Sequence, residues 1–331
     1  MKSHIPGEIC MSVVDIKGIK AKPGEKSFGF LDVGTTSVNT YRIPVAVING
    51  AEEGKTLCLI GGTHGTEFAS IEAVIRTVQN LNPKEMKGTV LVVTVLNGPQ
   101  FEHRSAFLSP FDQLNQNRQF PGDLEGTLSQ RTAHVVFSEM VSKADALIDC
   151  HGGDITEDID DMVIVQLGPN KEANKTAAEM ASCFSTKYVV THKPGEIGGS
   201  SGVATEKYGI PCITSEAGTP YPVRERHVRF HYDGIMNNLK YFGIIAGKPQ
   251  MVQPTMNPVM YRFKTNLGGI WHPYVDLAQM VSKGQEVGNI SDLFGNIIET
   301  YKAPEDSMVT FLRVFYSVNV GEPLIGLVVL F

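Results

Sequence analysis

The first fifty residues alternate short apolar runs with glycine and proline, and no helical period is visible before about residue 66. From there a strand–helix rhythm sets in. Thr56–Ile60 reads as a buried strand and Gly61–Thr66 as a glycine-rich loop. Phe68, Ile71, Val74, Ile75, Val78 and Leu81 recur at helical spacing until Asn82-Pro83, which predicts a helix over 68–81. Thr89–Leu96 is a β-branched strand. The polar stretch 97–127 has little periodicity, and a loop that long in a compact domain points to function or mobility. Beyond it the pattern predicts a helix at Gln130–Val141 and strands at Ala146–Cys150 and Met162–Leu167. A helix follows at Glu172–Phe184, then strands at Tyr188–Thr191 and Ile210–Ser215, and an amphipathic helix at Val223–Phe242.

Strands alternating with helices imply an α/β fold, a largely parallel or mixed sheet covered on both faces. The pattern changes near residue 250. Pro254 and Pro258 mark a linker, and short strands then alternate with turns such as Gly268-Gly269, Lys283-Gly284 and Phe294-Gly295-Asn296. The expected organisation is an α/β domain over 1–250, its first ~45 residues a β extension, and a small all-β domain over 251–331.

Composition narrows the function. Hydrophobic residues make up 42 % and charged residues 19 % of the 331, so the chain is globular and not disordered. A net charge of −6 argues against nucleic acid as a partner. The longest apolar runs, Val90–Leu96 and Leu324–Phe331, are far short of the roughly 20 residues that cross a bilayer, so no membrane partner is expected. Met1–Ser12 lacks the apolar core of a signal peptide. Cys10, Cys58, Cys150, Cys183 and Cys212 are scattered, which suggests reduced thiols and a cytoplasmic location. A homo-oligomer stays open.

The chemistry concentrates at the carboxyl ends of predicted strands, where α/β sheets bind ligands. In Gly61-Gly62-Thr63-His64-Gly65-Thr66-Glu67, His64 and Glu67 are three apart and can converge on one ion; zinc accepts both donor types. The bland reading is a turn histidine and a helix-starting acid that favours the helix dipole. His151, ending the strand Ala146–Cys150 before Gly152-Gly153, is the candidate third ligand, against the alternative of a hydrogen-bonded strand-end histidine. Asp149 shares its strand face and is placed to orient it. Glu216, after Ile210–Ser215, is a candidate proton acceptor for an attacking water, or else an N-cap or exposed acid. Arg104, Asn117 and Arg118 lie in the long loop. Arginine matches a substrate carboxylate or a developing oxyanion and so suggests an anionic substrate; the alternative is a solvated surface.

These segments fall in a fixed order: GGTHGTE, then QNRQFPG, ALIDCHGG and ITSEAG. Over roughly residues 45–245 their combination resembles the succinylglutamate desuccinylase/aspartoacylase family, zinc amidohydrolases on a zinc-carboxypeptidase-like fold. The resemblance implies one zinc per chain held by His64, Glu67 and His151. It makes Glu216 the general base and later the acid. Asn117 and Arg118 would hold a substrate carboxylate, and Arg104, in FEHRSAF, would polarise the scissile carbonyl. The implied activity is hydrolysis of the amide of a small anionic N-acyl amino acid. There are departures. The family's Asp-Leu-Asn-Arg is here Asn115-Gln116-Asn117-Arg118, and an arginine many relatives carry near Gly199–Gly202 is replaced by Gly-Ser-Ser-Gly. The C-terminal region is similar to the family's β domain and so to a biotinyl/lipoyl barrel. Its hairpin, at Ser291–Asn296, has no lysine, so a cleft wall or an oligomer contact is expected in place of a carrier.

Rival readings are a metallocarboxypeptidase acting on peptides, a non-catalytic binding protein, and a serine hydrolase. The last rests on Gly198-Gly-Ser200-Ser-Gly202, a match to Gly-x-Ser-x-Gly, with Asp233 and His272 to complete a triad. That motif needs a strand running straight into the serine, and Lys193–Ile197 intervene here. Ser200 is expected in a loop lining the zinc site.

Overall fold

The computed structural model describes residues 12–196 and 198–330; the readings of residues 1–11 and of Cys10 lie outside them. The fold is the expected α/β arrangement, a mixed sheet with helices on both faces. The main elements in chain order are strands β1 (Glu25–Thr35), β2 (Thr40–Asn49) and β3 (Glu52–Gly61), helix α1 (Phe68–Asn80), β4 (Lys87–Val93), α2 (Gly98–His103) and α3 (Leu128–Glu139). They continue with β5 (Ala146–His151), β6 (Glu157–Gln166), α4 (Lys171–Ser182), β7 (Tyr188–His192), α5 (Ser200–Tyr208), β8 (Cys212–Gly218) and α6 (Glu225–Tyr241). The C-terminal segment adds β9 (Val259–Lys264), β10 (Gly269–Pro273), β11 (Glu286–Ser291), β12 (Ile297–Lys302), β13 (Ser307–Arg313) and β14 (Pro323–Val329).

Thirteen strands form one sheet, whose main path runs β9-β14-β13-β6-β8-β5-β3-β4-β2-β1. Its centre is parallel: β8 pairs with β5, β5 with β3 and β3 with β4. Both faces of these strands are covered, so Leu57, Cys58, Leu59 and Ile60 are all buried, as a doubly covered strand requires. One face packs Leu57, Leu59, Ile148 and Ile213 against α1, α4 and α6; the other packs Cys58, Ile60 and Leu147 against α3 and α5. Each fully buried aliphatic side chain contributes about 1.5–3 kcal/mol to this packing. The fold brings three parallel strands to a common carboxyl edge, and the site lies there.

The C-terminal segment is not detached from the sheet. β13 pairs antiparallel with the start of β6, so β13, β14 and β9 extend it. β10, β11 and β12 belong to a separate four-stranded sheet built over Trp271, Val287 and Ile290. The turn Asp292–Asn296 between β11 and β12 is the expected lysine-free hairpin. No helix among the described residues is long and apolar enough to cross a membrane. Cys58, Cys150, Cys183 and Cys212 are free and buried.

Candidate active site

The three parallel strands deliver one residue or loop each. β3 ends at Gly61 and turns through Gly62, whose φ of +65° suits glycine, into His64 and Glu67. Glu67 stands at the N-cap of α1, yet its side chain makes no capping bond. It turns inward instead. Its Oε1 lies 2.8 Å from His64 Nδ1 and its Oε2 3.0 Å from His151 Nδ1. The bland reading of a dipole-favouring acid therefore does not describe this carboxylate. Burial alone would raise its pKa, but the facing imidazoles of His151 and His64 hold it below the usual carboxylate range.

His151 ends β5, and parallel pairing places Glu216 of β8 directly beside it. β8 runs on to Gly218, so Glu216 is a strand residue, half-buried and facing the same cavity. Withdrawal from water pushes its carboxyl up to about 8; His151 opposes the shift, while Glu67 and Glu157 add to it.

A second layer holds the two imidazoles. Asp149 Oδ1 lies 3.3 Å from His151 Nε2, and Asp149 itself accepts from Thr63 Oγ1 and Ser200 Oγ. On the other side His64 Nε2 donates to Asn115 Oδ1 at 3.1 Å. The same Oδ1 accepts from the backbone N–H of Asn117 and caps the short turn Gln116–Arg118. Asn115 is thus the acceptor at this place. It holds both the loop and His64 without adding a charge.

His64, Glu67 and His151 are buried, and their donor atoms lie within 4.8 Å of one another. Two neutral-capable imidazoles and a carboxylate are a donor set zinc takes. His64 Nε2 is bonded to Asn115 from behind, His151 Nε2 lies against Asp149 without a hydrogen bond, and both Nδ1 atoms turn to Glu67. Glu67 Oε2 is buried without a hydrogen-bond partner, as a ligand atom would be. The residues therefore fit a bound divalent ion.

These groups open into a cavity of about 460 Å³. Asn117 and Arg118 line it, with Arg118 exposed and free of any ion pair among the described residues. Asn117 Oδ1 is buried and unpartnered. A Cβ at Gly199, where φ is +112°, would come 2.3 Å from that oxygen, so glycine is what lets the two segments meet. Arg104 is not brought in. It ends α2 in the left-handed region at φ 53°, is exposed, and does not line the cavity. The cavity's second arginine is Arg262 of β9, set over the Phe311 ring at 4.7 Å. Met260, Thr310 and Phe311 join it, so the C-terminal segment forms one wall. A larger hollow of about 760 Å³ beside the β1–β2 hairpin carries none of the cluster.

The serine constellation does not assemble. Ser200 begins α5, is fully buried and donates to Asp149; it does not sit in a loop lining the cavity, which Ser201 reaches instead. Asp233 pairs with Arg229 on α6, and His272 bonds Ser291 in the C-terminal sheet.

Residues 53–242 match the model of the succinylglutamate desuccinylase/aspartoacylase catalytic domain. The chain belongs to the succinylglutamate desuccinylase/aspartoacylase family. Among curated relatives, the N-alpha-acetyl-L-2,4-diaminobutyric acid deacetylase of Halomonas elongata is 26 % identical over 289 residues, 85 % of this chain and 84 % of that one. Two solved structures share the fold. The succinylglutamate desuccinylase/aspartoacylase of Rhodobacter sphaeroides superposes with a TM-score of 0.81 at 24 % identity, covering 95 % of this chain and 97 % of its own. The product-bound ectoine utilization protein EutE (DoeB) of Ruegeria pomeroyi gives 0.84 at 22 %, covering 98 % and 99 %.

Proposed function

We propose that this protein is a zinc-dependent deacylase that hydrolyses the amide of an N-acyl amino acid. The observation that carries the reading is the convergence of His64, Glu67 and His151 beside Glu216 in one cavity. Family membership and the named activity of the Halomonas elongata relative support the substrate class. His64, Glu67 and His151 would hold the ion. When bound, zinc supplies Lewis acidity, which makes water nucleophilic near neutral pH and draws charge from a carbonyl. Glu216 takes the proton of the attacking water and later returns it to the leaving nitrogen, from the place beside His151 that strand pairing gives it. Arg118 and Asn117 hold the substrate carboxylate. With Arg104 outside the cavity, Arg118 is the arginine left free to face the substrate, while Arg262 lies over the Phe311 ring. The buried free thiols support a reducing compartment, and we place the protein in the cytoplasm.

The peptidase reading has the same chemistry and a different space requirement. The wall of β9 and β13 residues closes the cavity to a volume suited to a small ligand. Assay of N-acetyl amino acids beside amino-blocked peptides should show free amine released from the former alone. Peptide cleavage at comparable kcat/KM would favour the carboxypeptidase.

Two substitutions separate the layers of the site. Ser200→Ala removes one donor from Asp149 and is expected to cost about 1–2 kcal/mol of stability. Its turnover should stay within about tenfold of wild type, whereas losing a serine nucleophile would cost about a millionfold. Asn115→Ala leaves His64 without its acceptor and is expected to weaken zinc binding by about 10–100-fold, read by competition with a chromogenic chelator. Unchanged affinity would show that His64 needs no support.

A further inference from the structure

The cavity contains three carboxylates, and the proposed chemistry uses two. Glu67 belongs to the ligand cluster and Glu216 moves protons. The third, Glu157, opens β6 with its side chain in the cavity wall. It makes no hydrogen bond or ion pair with any side chain among the described residues. The cation that acts on it most, Arg262, lies beyond ion-pair distance and is occupied over the Phe311 ring. Glu157 is half-buried, and its neighbours along the wall are Ile159, Met162 and Phe311. A carboxylate held against apolar neighbours without a partner is costly, and a cation that arrives with the ligand removes that cost.

Arg118 and Asn117 face the substrate carboxylate in the proposed mode, and the 198–202 segment presents only Gly198 and Ser201 to the cavity. That segment is neutral, so a second carboxylate on the substrate finds no cation there. The apolar stretch of Ile159 and Met162 suits a methylene chain, with the charged group at Glu157 at its end.

We propose that Glu157 is a specificity-determining residue that receives a free ammonium group on the substrate's side chain, which makes the substrate class N-acylated diamino acids. This rests on the deacylase reading and deepens it. The ammonium donates to the Glu157 carboxylate while Arg118 holds the α-carboxylate, so the substrate is fixed at two charged ends with its amide between them.

The test compares isosteric pairs with the zinc-loaded protein: Nα-acetyl-ornithine against N-acetyl-norleucine, and Nα-acetyl-2,4-diaminobutyrate against N-acetyl-norvaline, with N-acetyl-glutamate as the acidic member. The wild type should favour the amine of the better-fitting pair by about 10–100-fold in kcat/KM, the scale of one charge-assisted hydrogen bond. Glu157→Gln should collapse that ratio towards one, mainly through KM, and Glu157→Asp should restore part of it. Zinc content of each variant confirms that the site is intact. The inference is overturned if the wild type treats the members of each pair alike, prefers N-acetyl-glutamate, or keeps its amine preference in Glu157→Gln. In those cases the neutral or acidic compounds are still hydrolysed, and the deacylase reading stands. If the loaded wild type hydrolyses none of the five, the deacylase reading falls and the inference falls with it.

Discussion

Glu216→Gln should keep its zinc and its fold and lose about three orders of magnitude in kcat. The substitution is isosteric, and the position is fixed by strand pairing on both sides, to His151 in β5 and to Met162 in β6. Neither neighbour needs the charge. Replacing a carboxylate withdrawn from water by a neutral amide relieves a desolvation cost, so thermal stability should hold or rise. What the amide cannot do is take a proton. Positioned acid–base groups contribute about 10²–10⁴-fold, and here one group serves two successive transfers. KM should change little, because Arg118 and Asn117 are untouched. A variant with kcat within tenfold of wild type would remove Glu216 from both transfers.

His151→Ala should act one step earlier, on the metal. His151 faces Glu67 through Nδ1 and is backed by Asp149 through Nε2. Removing the ring leaves a single imidazole beside Glu67 and strands two buried carboxylates, Glu67 and Asp149, without their shared partner. A lost ligand should cost zinc affinity more than the roughly 10–100-fold of a lost supporting group. The purified variant should hold well under one zinc per chain by elemental analysis and show no turnover. Asp149 keeps Thr63 and Ser200, so local structure should survive and the loss can be read as a metal effect. Full zinc occupancy in His151→Ala would mean that the ion, if present, is bound elsewhere.

Much of this was legible in the chain because burial leaves a pattern. The central strands read as continuous apolar runs since both their faces are covered, and α1 shows its buried stripe of Ile71, Val74 and Val78. α5 was missed. Its sequence SSGVATEKY has almost no apolar stripe, because it is held by small residues packed close to the sheet. The β1–β2 hairpin was unreadable as long strands because Phe28 and Phe30 are exposed while Leu31 and Val33 are buried. At the site, His64, Glu67, His151 and Glu216 were visible because strand ends in an α/β sheet converge. The loop residues could not be placed so easily. Arg104 turns outward through a left-handed residue, a conformation that nothing around it in the sequence signals. Glu157 sits in the acidic run Glu157–Asp161, where it is one acid of four, and only the antiparallel pairing of β6 with β13 selects it for the cavity. Arg262 comes from a segment distant in the chain, and no local pattern could bring it there.

The most direct measurement is the release of free amino acid from N-acetyl amino acids by the same preparation in three states: as purified, after chelation, and after zinc is returned. Hydrolysis that disappears with the chelator and returns with about one zinc per chain is the predicted result. Hydrolysis that persists in the metal-free protein, or none in the reloaded one, would contradict the zinc deacylase.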